Sequence, residues 1–556
     1  MQRFFDAHRA MLDGALKAVA ERTYWSAAPE VPSGKIYGET AKADAEAAFK
    51  AYIGKPFEMD HPGGRRLGKE ESPWGFALGI TYPSASVDEL IAASRRAATG
   101  WASASVEVRV GVCLEIVHRL NRQSFLIANA VQHTSGQPFV MAFQAGGPHA
   151  QDRALEAVAY AYQEMAKVPA KARWEKPQGG GQEPLRMDKQ WRIVPRGIAV
   201  TIGCSTFPTW NSYPGMFASL ATGNTVIVKP HPGAILPLAI TVRICRDVLK
   251  EAGFDPNVVL LGVDEATAPI SKDLVKHPNV AIVDFTGSPA FGRWVRDNAA
   301  RGAQVYTEEA GVNSIVIDSA PSFQGMCSNI AFSLALYSGQ MCTAPQNIFV
   351  PRAGIDTDEG HKSFDEVARG IAGAVEKLVG KPDRAAALLG TLQSEATAAR
   401  VKTVSEKAKP LLASKPYEVA GSPGARTATP AIFVAEAGDP SLYGEEQFGP
   451  ISFVVATANT REAIDKAVEL ARTKGAITGS IYSTNEAVLD EAADRFAAAG
   501  VNLSCNLTGG IFVNQSAAFS DYHVSGANPA GNACLTDAAF VANRFRAVGI
   551  RRPAAA

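Results

Sequence analysis

At 556 residues the chain is too long for one compact core, and roughly 100–200 residues per domain predicts about three domains or lobes. Lysine plus arginine number 55 and aspartate plus glutamate number 55, so the formal net charge is zero and no global basic field exists to attract nucleic acid or acidic membrane. Hydrophobic residues at 46% and charged residues at 20% are the mix of an ordinary globular protein, and no run of ~18 apolar residues is present to span a bilayer.

The start, Met1-Gln2-Arg3-Phe4-Phe5-Asp6-Ala7-His8-Arg9, lacks the apolar core of a signal peptide, so the expected compartment is the cytoplasm. Residues 1–80 read as helix followed by an irregular stretch rich in proline and glycine. From 86 to 170 apolar positions recur at helical spacing, as in Val106 through Val117, with Gly146-Gly147-Pro148 as punctuation. A loop with Gly179-Gly180-Gly181 then leads into alternating strands and helices. Trp191 to Thr201, Thr225 to Lys229, Val258 to Leu261, Val280 to Val283 and Ser314 to Ile317 read as strands of a parallel, doubly wound sheet. A second α/β block is expected from about 330 to 520, and the tail from Arg551 to Ala556 reads as frayed. The seven cysteines (Cys113, Cys204, Cys245, Cys327, Cys342, Cys505 and Cys534) are odd in number and scattered. None stands in a CxxC pair or zinc-like Cys/His cluster, so no metal is expected, and reduced thiols fit better than a disulfide framework.

Five short segments carry the chemistry. In Gly223-Asn224-Thr225-Val226-Ile227-Val228-Lys229-Pro230 a strand ends in a lysine, at the edge where open α/β sheets bind ligands. Taken alone, such a lysine is more often a solvated edge residue. Phe285-Thr286-Gly287-Ser288-Pro289 carries a strand into a helix: Gly287 permits the turn, Ser288 and Pro289 suit the first helical positions, and the free N–H groups could hold a pyrophosphate. Plain helix capping accounts for the same residues, and no GxGxxG fingerprint occurs. In Glu446-Gln447-Phe448-Gly449-Pro450, Glu446 could bind ribose hydroxyls and Phe448 could pack on a nicotinamide, although for the segment taken alone a turn with a surface acid is the better account. Glu309 opens Glu309-Ala310-Gly311-Val312-Asn313, and Gly339-Gln340-Met341 leads into Cys342. A cysteine and a carboxylate are the groups that oxidise an aldehyde through a thioester: the thiolate adds to the carbonyl, a nicotinamide takes the hydride, and the carboxylate activates the water that cleaves the thioester.

Together and in this order, from about residue 90 to the C-terminus, these segments resemble the aldehyde dehydrogenase superfamily. Its Glu-Leu-Gly-Gly-Lys matches Glu309 through Asn313, its Gly-Gln-x-Cys matches Gly339 through Cys342, and its Phe-Thr-Gly-Ser matches Phe285 through Ser288. Its Gly-Asn-x-Val-x-x-Lys-Pro and Glu-x-Phe-Gly-Pro match Gly223 through Pro230 and Glu446 through Pro450. The resemblance implies an α/β fold with a Rossmann-type cofactor domain, an α/β catalytic domain and a β oligomerisation arm. The expected division is an N-terminal extension with the helical part of the cofactor domain over 1–183, an oligomerisation strand over 184–196, the Rossmann-type part over 197–311, the catalytic domain over 312–520, and a C-terminal segment over 521–556 that returns to a partner subunit's arm. It also implies Cys342 as nucleophile and Glu309 as general base, with NADP, or NAD, held by Lys229, Gly287, Ser288, Glu446 and Phe448, in a homodimer or homotetramer. Three N-terminal segments, Glu71 to Gly75, His133 to Gln137 and Met141 to Arg153, resemble a branch of the superfamily in bacterial phenylacetate breakdown. That branch implies a ring-opened, CoA-linked semialdehyde as substrate.

Some positions depart from the family pattern. Its oxyanion asparagine, just before Phe-Pro, is here Thr206, and spacing favours Thr206 over the nearby Asn211. Loss of such a donor costs roughly 2.7–4 kcal/mol of transition-state stabilisation unless another group replaces it. Threonine at this position, with Pro230-His231-Pro232, is also similar to CoA-acylating relatives, whereas Glu309 favours hydrolysis. A weakly catalytic scaffold protein is the third reading. Pro232 stands where NAD-preferring relatives have a glutamate, which favours NADP. His149 and His523 are expected to satisfy backbone hydrogen bonds rather than to catalyse.

Overall fold

Gly197 interrupts the strand predicted over 191–201. With φ at 141°, it turns the backbone between Leu185–Pro195 and Ile198–Ile202, which join different sheets. The computed structural model describes residues 2–309 and 311–554. Ala310 of the general-base motif and Ala555-Ala556 of the tail lie outside the described residues.

Ile198–Ile202 is central in a five-stranded parallel sheet, in the order Gln304–Glu309, Val280–Gly287, Ile198–Ile202, Thr225–Lys229, Val259–Leu261. Strands covered on both faces read as unbroken apolar runs, and Ile198–Ile202 and Thr225–Lys229 are buried at every residue. Register sets Lys229 level with Ile202, Ile202 level with Phe285, and Gly287 level with Glu309, so the motif residues gather at the C-terminal edge.

A seven-stranded sheet holds the second block, in the order Pro410–Leu412, Ala431–Glu436, Ile451–Thr457, Asn347–Pro351, Ser314–Ile317, Thr478–Tyr482, Asn502–Cys505, with only the first edge strand antiparallel. The arm is a three-stranded antiparallel ribbon of Lys171–Lys176, Leu185–Pro195 and Phe545–Pro553. Two expectations are corrected here. The tail is an ordered strand through Pro553, opposite Met187, and it pairs with the arm of its own chain. Nine residues of ladder hydrogen bonds hold what composition alone reads as loose.

The N-terminal residues are part of the main core. Helices Arg3–Ala7 and Arg9–Glu21 bury Phe4, Phe5, Leu12, Ala15 and Val19 in the same cluster as Val110, Leu114 and Ala154. At the other end of the chain Arg544, fully buried, donates from Nη1 and Nη2 to Asp284 at 2.8 and 2.5 Å and stacks against Phe540 and Tyr306 at 4.2 and 4.4 Å. The C-terminal segment is thereby tied to the strand Val280–Gly287, next to the middle strand of the five-stranded sheet.

Candidate active site

The nucleophile loop begins with three consecutive left-handed residues, Tyr337 (φ 52°), Ser338 (φ 53°) and Gly339 (φ 62°). Left-handed non-glycine residues cost about 1–3 kcal/mol each and persist only when their surroundings impose them. Here the Tyr337 hydroxyl donates to the Ser135 carbonyl, and Ser338 Oγ donates to the Leu389 carbonyl at 3.2 Å. Asn313, standing where the family has lysine, ties the far side: its Nδ2 donates to the carbonyls of Cys342 (2.8 Å) and Ala344 (3.0 Å), while its Oδ1 accepts from the N–H groups of Ile477 and Thr478. Cys342 is thus held from both chain directions.

The carboxylate beside Cys342 is Glu308, which corrects the assignment of Glu309. Alternate residues of a strand face opposite ways. Thr307 and Glu309 face the helix Pro289–Asn298, where both bind Arg296. Glu308 faces the helix Pro208–Ala221 and accepts from Asn211 Nδ2 at 2.9 Å. The Cys342 thiol donates to Glu308 Oε1 at 3.4 Å. His523 Nε2 donates to the same oxygen at 2.8 Å and stands 3.7 Å from Cys342 Sγ. An ionised carboxylate only accepts, so the ring nitrogen facing it carries the proton. The other ring nitrogen stands 3.5 Å from Ser516 Oγ. His523, expected to serve a backbone group, is therefore in contact with both Cys342 and Glu308.

Burial would raise the Glu308 carboxyl, but the charge and hydrogen bond of His523, with Cys342 and Asn211, hold it below the ordinary carboxylate value. Burial, reinforced by the Glu308 charge, pushes the Cys342 thiol well above its ordinary value. Cys342 therefore rests as a thiol with a carboxylate acceptor already in contact. The Glu308, Cys342 and His523 ligand atoms lie within 4.8 Å of one another, a set that a thiophilic divalent cation could bridge. Sequence spacing gives no hint of this trio because its members come from three distant segments.

Thr206 is also corrected. Its hydroxyl faces Cys204 Sγ at 3.9 Å and its carbonyl accepts from Gln137 Nε2 at 2.7 Å. The helix Pro208–Ala221 starts just beyond it and sets Phe207, Trp210 and Asn211 on one face, at i, i+3 and i+4. All three line a chamber of about 740 Å³ that ends at Cys342 and His523, and Thr206 is not part of its wall.

The cofactor candidates fall in two places: Lys229, Gly287 and Ser288 at the C-terminal edge of the five-stranded sheet, and Glu446 and Phe448 on the loop before Ile451–Thr457 of the second block. Gly287 is half-buried and Ser288 exposed, at the N-terminus of a ten-residue helix where Ser288 Oγ accepts from Phe291 N at 3.4 Å. Lys229 is buried, with Nζ 2.7 Å from Asp264 and donating to the Pro230 carbonyl at 2.6 Å. Glu446 and Phe448 are half-buried on a loop held by Arg400, which donates to the Phe448 carbonyl, and by Gln346. Burial pushes the Glu446 carboxyl up to about 7, against the opposing effect of Arg400. An accessible helix N-terminus, a strand-end cation and a half-buried acid beside an aromatic ring are a donor set that fits a dinucleotide.

With motif order, two α/β sheets and a cysteine–carboxylate pair at the end of a chamber, the chain belongs to the aldehyde dehydrogenase family, whose family model matches residues 81–532. It is similar to the solved structure of an NAD-dependent aldehyde dehydrogenase from Burkholderia multivorans, at 56% identity and TM-score 0.98 over 100% of this chain and 99% of that one. It is 29% identical over 350 residues to 1-pyrroline-5-carboxylate dehydrogenase of Bacillus subtilis (strain 168), spanning 61% of this chain and 63% of that protein. It is 26% identical over 435 residues to N-succinylglutamate 5-semialdehyde dehydrogenase of Burkholderia orbicola (strain MC0-3), spanning 77% and 81%.

Proposed function

We propose that the protein oxidises an aldehyde to the carboxylic acid through a thioester on Cys342, with a nicotinamide dinucleotide as cofactor. The observation that carries this reading is the contact of Cys342 with the buried Glu308–His523 pair at the end of the chamber. Glu308 takes the thiol proton and the thiolate adds to the carbonyl carbon. The second N–H of Asn211 Nδ2 and the Cys342 backbone N–H serve the oxyanion. Lys229, Gly287, Ser288, Glu446 and Phe448 would hold the dinucleotide, which when bound would supply the hydride acceptor needed to oxidise the adduct to a thioester. Glu308 passes the thiol proton to solvent, then takes a proton from water as the water oxygen attacks the thioester carbon; the thiolate leaves and the carboxylic acid is released. Hydrolysis is favoured over transfer to CoA because this base is in contact with the sulfur. Incubation with aldehyde and NAD followed by intact-protein and peptide mass measurement tests the scheme. An acyl adduct on Cys342 supports it; reduced cofactor formed with no adduct on that residue, under rapid acid quench, overturns it.

NAD is the cofactor we favour. Pro232 removes one carboxylate, but Asp264 keeps another 2.7 Å from Lys229, where its charge would oppose a 2′-phosphate near that lysine. The NAD-dependence named for the Burkholderia multivorans protein supports the same choice. Asp264→Asn should raise the NADP-to-NAD ratio of kcat/KM by about tenfold, the equivalent of about 1.4 kcal/mol; an unchanged ratio would remove Asp264 from cofactor choice.

A finer reading rests on the N-terminal motifs, which resemble the phenylacetic acid degradation protein PaaN: a ring-opened, CoA-linked semialdehyde as substrate. The named relatives are instead dehydrogenases of 1-pyrroline-5-carboxylate and of N-succinylglutamate 5-semialdehyde. The chamber wall bears on both.

A further inference from the structure

We infer that the substrate chamber takes an uncharged aldehyde with an apolar or aromatic body, and that the N-terminal segment Tyr24–Glu30 is the wall that imposes this choice. The inference rests on the assignment of Cys342 as the reacting residue, because that assignment makes the chamber the substrate site.

Trp25, Met141, Phe207, Trp210, Phe332 and Leu336 supply an apolar wall. Three basic side chains, Arg153, His149 and His523, also line the chamber, and each already faces an acid of the protein: Glu156, Glu30 and Glu308. Arg153, 1% exposed, donates to Glu156 at 2.8 Å, to Ser516 Oγ at 3.2 Å and to the Asp521 carbonyl at 3.2 Å, and lies over the Trp210 ring at 5.4 Å. His149 Nε2 is 2.7 Å from Glu30. No lysine lines the chamber among the described residues, whereas Glu30, Asp152 and Asp521 do. A carboxylate on the substrate would be desolvated against these acids with no spare cation, and a CoA moiety would bring several negative charges to the same mouth. The chamber thus departs from both the CoA-linked expectation and the carboxylated substrates of the named relatives.

Tyr24, Trp25, Ser26 and Glu30 all line the chamber, yet they precede the family-matched residues 81–532. The segment is pinned rather than loosely draped. Ser26 Oγ and the Ala27 N–H donate to the two oxygens of Asp152, and the Trp25 ring meets Phe519 edge-on at 5.1 Å. The Arg22 guanidinium lies 3.8 Å from the centre of the Tyr522 ring. The extension therefore closes the chamber and buttresses the 519–523 loop that carries His523. Substrate choice has been built onto a shared scaffold by adding a wall to it.

The test uses four probes: phenylacetaldehyde, succinic semialdehyde and acetaldehyde as substrates, and acetyl-CoA as a competitor. Binding is followed by tryptophan fluorescence in Cys342→Ala, so that it does not depend on turnover, and kcat/KM is measured in the wild-type enzyme with NAD. Phenylacetaldehyde should exceed succinic semialdehyde by about tenfold or more in both, and acetyl-CoA should not compete. Trp25→Ala should lower the phenylacetaldehyde-to-acetaldehyde ratio of kcat/KM about tenfold, the range of one lost aromatic contact, and Trp25→Phe should restore most of it. Equal or tighter binding of succinic semialdehyde, or competition by acetyl-CoA, overturns the inference and leaves the thioester mechanism standing. Selective phenylacetaldehyde binding without any turnover does the reverse.

Discussion

Glu308→Gln should lower aldehyde oxidation by about 10²–10⁴-fold, the range of a lost general base, while making Cys342 more reactive toward iodoacetamide at neutral pH. The two effects have opposite signs because the carboxylate acts on the sulfur in two ways. As a base it is needed to remove protons during turnover. As a fixed charge 3.4 Å away it raises the thiol's pKa, and the resting thiolate fraction falls. Glutamine removes the charge, so the alkylation rate should rise with its pH profile shifted to lower pH. Cys342→Ala should abolish both oxidation and labelling at that position. Glu309→Gln, whose carboxylate is turned to Arg296 across the strand, should cost far less activity than Glu308→Gln. The opposite ranking of the two glutamine variants would return the base role to Glu309.

Arg544→Met should destabilise the folded protein by about 3–5 kcal/mol, the cost of leaving one partner of a buried ion pair uncompensated. Arg544 is fully buried, with Asp284, Ser219 Oγ and the Gly215 carbonyl as its acceptors. Burial lowers the tendency of its guanidinium to hold a charge, and Asp284 more than restores it. Asp284→Asn should be destabilising for the complementary reason. The double variant Arg544→Met with Asp284→Leu should recover a large part of the loss, since neither charge is then stranded. Urea midpoints of the four proteins check this; additive losses in the double variant would show that the residues act independently.

Much of the cofactor half was legible in the sequence because its signals are local. Thr225 to Lys229 reads as a buried strand from its unbroken apolar run, and the Gly287-Ser288-Pro289 turn reads from helix-cap chemistry; both stand where the reading placed them. The reactive centre was less legible because it depends on orientation and on contacts across long separations. Glu308 and Glu309 are adjacent in sequence, and only the face of the strand on which each lies distinguishes them. A signal was present: Tyr306 and Glu308 share one parity and Thr307 and Glu309 the other, so knowledge of which face meets the helix Pro208–Ala221 would have chosen correctly. Asn211 was set aside on spacing to Gly223, although counting i, i+3 and i+4 from Phe207 places it on the chamber face. His523 lies 181 residues from Cys342, in a segment without regular structure, and no periodicity announces such a contact.

The pairing of Arg544 with Asp284 also has a consequence for how the molecule is made. The two residues are 260 positions apart. At roughly 5–20 residues per second of synthesis, the carboxylate emerges tens of seconds before the cation that neutralises it. During that interval the cofactor sheet carries an unmatched charge on its helix-covered face and lacks its C-terminal cover. The nascent sheet cannot reach its final stability until Arg544 has been made, so a ribosome stalled before that codon would leave a chain with Cys342 made but the sheet beside it unsealed.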